Sequence, residues 1–173
     1  AAYDPTHVSN AQAYGQVMRQ RLKILRDAVK RDATPDASWL DSLEESMARH
    51  GVAMAAARRG LMRRLTDRVA GGVGPFPGAR LGFKAGLETA LAEDSALDVE
   101  DQFRRKLAEV RQRDGIVGQS TVGPHRSDLE VHHGVHGREA SQCSTGEQKA
   151  LLLAVILGHA QLLTAARRLK PIM

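Results

Sequence analysis

Apolar residues recur at steps of three and four from the start of the chain: Val8, Ala11, Tyr14, Met18, Leu22, Leu25 and Val29. That spacing puts them on one stripe of a helix. Asp4 is placed to be its N-cap, with Pro5 in the first turn, where a missing N–H costs nothing. Thr34-Pro35-Asp36 interrupts the pattern and caps a second helix. There Leu40, Leu43, Met47, Met54, Leu61 and Leu65 keep near-heptad spacing, with Gly51 on the opposite side and Trp39 near the start. Continued to Val69, this helix is about 50 Å long at ~1.5 Å per residue. Two such helices joined by a short loop predict a helical hairpin, an arm rather than a globule.

Gly71 to Gly78 is rich in Gly and Pro and reads as a flexible connector. Ala79 to Phe83 is a candidate strand with Leu81 and Phe83 on one face, and Leu87 to Leu91 a short helical turn. Asp98 is expected to cap a further helix, with Val99, Phe103, Leu107 and Val110 inward, Arg111 and Arg113 near its end, and Gly115 as its terminator. Ile116 to Val122 then reads as a strand. Leu129 to His132 and Arg138 to Ser141 read as a β-hairpin turning around Gly134 and Gly137. The polar turn Cys143 to Lys149 feeds the apolar run Ala150 to Leu163. The chain is therefore expected to be mostly α with a small β component, α+β, divided into residues 1–115 and 116–173. Both ends look cut, because Lys170-Pro171-Ile172-Met173 would continue as a strand.

Hydrophobic residues make up 42% of the 173 residues while aromatics reach only 3%, which suits helices packed on aliphatic side chains. A net charge of +5 and a pI near 9.8 point to an acidic partner, nucleic acid first among them. Arg19, Arg21 and Lys23 surround the stripe of the first helix, and Arg58, Arg59, Arg63 and Arg64 lie on the far part of the second. Side by side they would build a groove for a phosphate backbone, bound in a salt-dependent way. No aromatics interleave with them, so base stacking is not expected. The alternative is a solvated surface with long side chains lying over the core. One cysteine, Cys143, excludes an internal disulfide framework and a Cys-based zinc finger, and suits a reducing cytoplasm. The apolar run Ala150 to Leu163, broken by Gly158, His159 and Gln161, is expected to be too short to span a bilayer.

Three stretches carry candidate chemistry. A small-polar turn with Gly146 opening into an apolar helix offers free backbone N–H groups at the positive end of the helix dipole, a place for an anion. Ser144 adds a hydroxyl donor, and Lys149 sits just inside the N-terminus, where a cation is unfavourable unless an anion is near. His125, Arg126 and Asp128 combine a titratable base, a fixed cation and a carboxylate within four residues. The alternative is a turn in which Asp128 bonds backbone amides and Arg126 pairs with it. His125, His132, His133 and His136 lack a second cluster of Cys, Asp or Glu in the sequence, so no metal site is expected. No Gly-x-x-x-x-Gly-Lys-Ser/Thr occurs, and no apolar strand ends in Asp-Glu.

Cys143-Ser144-Thr145-Gly146-Glu147-Gln148-Lys149 resembles the signature motif of ABC-type ATPases, usually Leu-Ser-Gly-Gly-Gln, with Ser144 and Gly146 matching. Cys143, Thr145 and Glu147 depart from it. Together with Gly123-Pro124-His125-Arg126-Ser127-Asp128 upstream and Tyr3-Asp4-Pro5 before the basic helix, the chain resembles the RecF family, SMC-related DNA-repair ATPases of bacteria. The resemblance implies a long helical hairpin arm attached to part of an ABC-type ATPase head. It implies that Ser144, Thr145, Gly146, Glu147, Gln148 and Lys149 meet ATP bound to a second protomer, and that His125, Arg126 and Asp128 belong to the head. ATP and Mg²⁺ are the cofactors it implies for the intact protein, with catalytic residues and Mg²⁺ ligands outside this fragment, which alone should not hydrolyse ATP. ATP-dependent homodimerisation on double-stranded DNA or at a double- to single-strand junction follows, as do the partners RecO and RecR, loading of RecA, recombinational repair, recovery of replication gaps and the SOS response, in the cytoplasm with no membrane. The reading from another class is a non-enzymatic helical DNA-binding or scaffold module whose Gly146 turn is only a helix cap.

Overall fold

A computed structural model of the chain describes residues 5–168; Asp4, expected as an N-cap, and Lys170-Pro171-Ile172-Met173, expected as a strand, lie outside them. The elements are α1 (Pro5–Arg31), α2 (Ala37–Val69), β1 (Ala79–Phe83), α3 (Leu87–Glu93), α4 (Ala96–Glu109), α5 (Arg111–Val117), β2 (Leu129–His133) and α6 (Thr145–Arg168), with 3-10 turns at Pro124–Arg126 and Ala140–Gln142. They form two compact units. Among the described residues, one contains residues 5–57 together with Ala85–Ser127, and the other Arg58–Lys84 together with residues 128–168. The division thus falls within α2, whereas the sequence suggested a single cut near residue 115.

In the first unit α1 and α2 run antiparallel. Asn10 Oδ1 lies 3.0 Å from His50 Nδ1 near one end, and Arg21 meets Glu44 nearer the loop. Asp36 caps α2 as expected, its Oδ1 accepting the Trp39 N–H at 3.1 Å. The hairpin is not a bare arm, because Phe103 and Leu107 of α4 enter one core with Tyr14, Met47, Ala48 and Met54. Burying side chains of this size stabilises by roughly 1.5–3 kcal/mol each. Gly51 faces this core rather than the opposite side. It lies one turn beyond Met47, and a Cβ there would stand 3.0 Å from Phe103 Cε1 and 3.3 Å from Tyr14 Cε2.

The structure corrects two expected helix ends. Ser95, not Asp98, caps α4: its Oγ accepts the Asp98 N–H at 3.2 Å and donates to Asp98 Oδ2 at 2.6 Å. Gly115 does not end a helix; it is buried within α5, where a Cβ would meet Val29 Cγ2 at 3.0 Å and the Leu25 carbonyl oxygen at 3.1 Å. Its bare backbone is what lets α5 lie against α1. The expected strand at 116–122 is helical through Val117 and is closed by Gly118 in the left-handed region, φ 72°.

Arg21 is the largest departure from the sequence reading. Its sequence context places it among the surface cations, yet it is wholly buried. Its Nε donates to Glu44 Oε1 at 2.8 Å, Nη1 to Asp114 Oδ2 at 2.6 Å and Nη2 to the Leu107 carbonyl at 2.6 Å. Arg111 Nε adds a second donor to Glu44 Oε1 at 2.9 Å, and Asp114 Oδ1 accepts from the Thr121 N–H at 2.9 Å and hydroxyl at 2.7 Å. Hydrogen bonding to Glu44 raises the Arg111 pKa and holds it charged. The position was legible: residue 21 is seven beyond Tyr14 and four before Leu25, on the buried stripe itself.

In the second unit Leu65, Val69, Val73, Ala79, Cys143 and Leu151 form the core. β1 pairs antiparallel with β2 from Ala79↔His133 to Phe83↔Leu129, so the predicted local hairpin is replaced by a long-range ladder. Residues 138–141 supply only the isolated bridge His132↔Glu139. Thr66 of α2 clamps β1, its Oγ1 both donating to the Leu81 carbonyl and accepting the Leu81 N–H at 3.2 Å. Gly158 of α6 lies against Val69 with no room for a Cβ.

Replacing Arg21 by Met leaves two buried carboxylates short of a cation and should lower unfolding stability by about 3–5 kcal/mol. Arg19→Met, at an exposed position two residues away, should stay within about 0.5 kcal/mol of the parent. Urea unfolding of both variants checks the contrast.

Candidate functional site

The turn into α6 is built by its own side chains. Ser144 precedes the first helical residue, Thr145, and Glu147 stands three residues after it. The Ser144 N–H donates to Glu147 Oε2 at 2.8 Å, the Ser144 hydroxyl donates to the same oxygen at 2.7 Å, and the Glu147 N–H reaches back to Ser144 Oγ at 3.4 Å. This is a reciprocal capping box. Its signal, Ser followed three residues later by Glu before an apolar run, is plain in the sequence and was missed there. Cys143 is buried behind the turn, its thiol donating to the Glu139 carbonyl at 3.5 Å, while Gln148 Nε2 donates to the Cys143 carbonyl at 3.0 Å.

Thr145, Gly146 and Lys149 are exposed. Among the described residues, apart from its chain neighbours and the backbone of its own helix, no atom lies within 4 Å of where a Cβ on Gly146 would sit. Glycine inside a helix costs about 1 kcal/mol relative to alanine, and nothing within the unit requires it here. The turn therefore presents open backbone at the positive end of a 24-residue helix. The Ser144 hydroxyl and amide hold the Glu147 carboxyl well below its usual range, at about 2. Glu147 is thus ionised under ordinary conditions and occupies donors that an incoming anion would use.

The remaining candidates divide. His125 is exposed but held by the first unit, with Nδ1 3.2 Å from the Tyr14 hydroxyl and Nε2 3.0 Å from the Ser120 carbonyl. An acceptor on Nε2 makes that nitrogen the donor, so the Tyr14 O–H points at Nδ1. Arg126 is exposed beside a cavity of about 370 Å³ that Lys106, Gly123 and Ser127 also line. Asp128 belongs to the other unit, and its backbone carbonyl accepts the Lys84 N–H at 3.2 Å. Of the cations proposed for DNA, Arg19 and Lys23 are exposed in the first unit. In the second, Arg59, Arg63 and Arg64 are exposed and Arg58 is half-buried. Arg21 is removed from that set, because its guanidinium is consumed by Glu44 and Asp114 in the interior.

Glu147 carries a carboxyl whose folded pKa is depressed, so its stabilising contribution is present above the unfolded value and lost as pH falls toward about 2. Glu147→Gln should therefore lower the melting temperature at neutral pH, with the gap from the parent closing between about pH 4.5 and pH 2. Thermal melts across that range measure it.

No protein-family profile matches the chain. Curated relatives do: the DNA replication and repair protein RecF of Mesorhizobium japonicum is 42% identical over 99% of this chain and 45% of its own length. That of Rhizobium etli is 44% identical over 92% and 41%, and that of Caulobacter vibrioides 40% identical over 95% and 43%. The chain thus spans a little under half the length of the relatives it matches. Among solved structures, the recombination mediator protein RecF-ATPrS in the RecFOR pathway superposes with a TM-score of 0.81, and RecF-ATP with 0.79. Each covers 98% of this chain and 45% of the solved one at 16% identity, a likeness of fold. Matched over 92–99% of its length by relatives 40–44% identical to it, and sharing the fold of the solved RecF structures, the chain belongs to the RecF family.

Proposed function

We propose that this chain is the arm and signature portion of an ATP-dependent DNA-repair protein, and that the N-terminus of α6 meets the γ-phosphate of ATP held by a second protomer. The observation that carries the reading is the open backbone at Gly146, a glycine with no packing role at the positive end of a long helix. Thr145 and Gly146 offer amides, and Ser144 offers its hydroxyl once the phosphate displaces the Glu147 carboxylate. Donors placed ahead of time in this way stabilise the charge of the transferring phosphoryl group. Lys149, one turn in, loses its unfavourable place beside the helix N-terminus when that anion arrives.

The chain holds neither a phosphate-binding loop nor the Asp-Glu strand that binds Mg²⁺, so turnover in this reading requires the rest of the intact protein. The outward face of α6 agrees with that. Leu152, Leu153, Ile156 and Leu157 are 59, 43, 52 and 39% exposed. Contrary to the sequence expectation, the helix from Thr145 to Ala165 is long and apolar enough, by length and composition, to cross a membrane. In a RecF-family protein we assign its apolar face to the remainder of the ATPase head. ATP-dependent homodimerisation on DNA follows, with exposed cations such as Arg19, Lys23 and Arg63 toward phosphates. RecO and RecR are the proposed partners in a RecFOR pathway, as named for the solved relatives, and the cytoplasm is the proposed compartment.

In the intact protein, Ser144→Arg should leave nucleotide binding in place while abolishing ATP-dependent dimerisation and lowering turnover on the order of 100-fold or more. Sedimentation with and without ATP reads this, and a variant that still dimerises refutes the trans contact. Arg63→Ala should lower the slope of log affinity against log salt for duplex DNA by about 1. An unchanged slope removes Arg63 from the interface.

A further inference from the structure

His133, His136 and Glu147 are separate features in the sequence, and the fold of the second unit brings them together. Each offers one ligand atom, and these atoms all lie within 4.8 Å of one another. Tetrahedral ligands about 2.0–2.2 Å from a zinc ion stand roughly 3.3 Å apart. The set closes when the side chains turn, the two imidazole planes, now 13° from parallel, tilting so that both in-plane lone pairs meet one ion. The carboxylate that the sequence reading found missing is supplied by Glu147, eleven residues beyond His136.

The scaffold under these groups is tied down. His133 ends β2 and is buried, its N–H donates to the Arg138 carbonyl at 2.9 Å, and its carbonyl accepts the Gly137 N–H at 2.9 Å. The Gly134 N–H donates to the Gly78 carbonyl at 2.7 Å, and Gly137 takes φ 70°, so the turn between the histidines is closed on itself and anchored to the start of β1. The two imidazoles stack, with centroids 4.0 Å apart and planes 13° from parallel. His136 Nε2 already faces Glu147 Oε1 at 3.3 Å, while Glu147 Oε2 is held by Ser144. One carboxylate oxygen is thus oriented by the capping box and the other is available, as a supported metal ligand requires.

The two other histidines between residues 125 and 136 do not share this arrangement. His132 turns its Nδ1 to the Gly137 carbonyl at 3.2 Å and its Nε2 toward Glu130 at 3.5 Å, and His125 lies in the other unit.

We propose that His133, His136 and Glu147 bind one divalent ion of the zinc class, with water completing the coordination. A ligating imidazole keeps its proton on the other nitrogen. The long contacts from the Val135 and Arg138 amides onto Nδ1, 3.2 and 3.3 Å, therefore give way to water on ion binding. Val135 and Arg138 are both exposed residues, so water has access to this turn. The bound ion locks the 134–137 turn to the first turn of α6. The site stands whether or not that helix end also meets nucleotide.

The test uses the intact protein without nucleotide, stripped with chelator and titrated with Zn²⁺ alone, and with Co²⁺ as a spectroscopic probe. The parent should take up one more equivalent than His136→Ala, show the visible bands of four-coordinate Co²⁺, and melt higher with Zn²⁺ than without. His136→Ala, at an exposed position, should lose all three signals, with affinity falling by more than the roughly 10–100-fold that loss of a mere supporting partner costs. Glu147→Gln should weaken the Co²⁺ bands, and His132→Ala should retain them. Equal uptake by the parent and His136→Ala overturns the site, as does loss of the bands in His132→Ala.

Discussion

A guanidinium with no exposed surface must be met by carboxylates, and Arg21 organises the first unit through that requirement. Taking an isolated charge out of water costs far more than a small domain's whole stability, so α1 can bury Arg21 only if Glu44 of α2 and Asp114 of α5 arrive at the same point. The Leu107 carbonyl accepts a further N–H, bringing the end of α4 to the same place. Four helices are therefore registered by one side chain. The aliphatic and aromatic core alone is less selective about register, because apolar contacts carry little direction. Thr121 completes Asp114, so the segment after α5 is held as a loop by the same network rather than free to pair as a strand.

A second constraint shapes the start of α6. Free N–H groups at a helix N-terminus have to be satisfied, and this chain answers with Ser144 and Glu147 from within. The carboxylate in that position has two consequences. It stabilises the helix in the absence of any ligand, and in the nucleotide contact proposed above it is the group a phosphate displaces to reach the Ser144 hydroxyl. The departure of Glu147 from the usual glutamine of ABC-type signatures thus bears on capping and on the proposed nucleotide contact alike. The second unit's small sheet serves this end of the molecule by holding His133 and the following turn against the same residues.

Much of this was written in the order of the residues. The 3.6-residue period of α1 and α2, the Asp36 cap, the short strand β1 and the polar turn into α6 are local features, set by interactions between residues a few positions apart. So are the signature resemblance and the basic character of the two long helices. The Ser144-x-x-Glu147 capping box was equally local and went unread, as did the place of Arg21 on the apolar stripe.

What only tertiary structure decided involved partners distant in the chain. Gly51 and Gly115 are neutral on paper, and their meaning comes from Phe103, Tyr14 and the α1 backbone pressing close. β2 had a plausible partner nine residues on and instead took β1, fifty residues earlier. A strand's own sequence states which residues alternate but not which edge will meet it. Likewise a charge on an amphipathic helix reads as solvated until a carboxylate 93 residues away makes burial affordable. The sequence by itself determined the helices, their polarity and the capped turn, because those depend on near neighbours. Burial of Arg21, the strand pairing and the meeting of Glu147 with the histidines required the folded chain, because each is a balance of desolvation against a contact that exists only after folding.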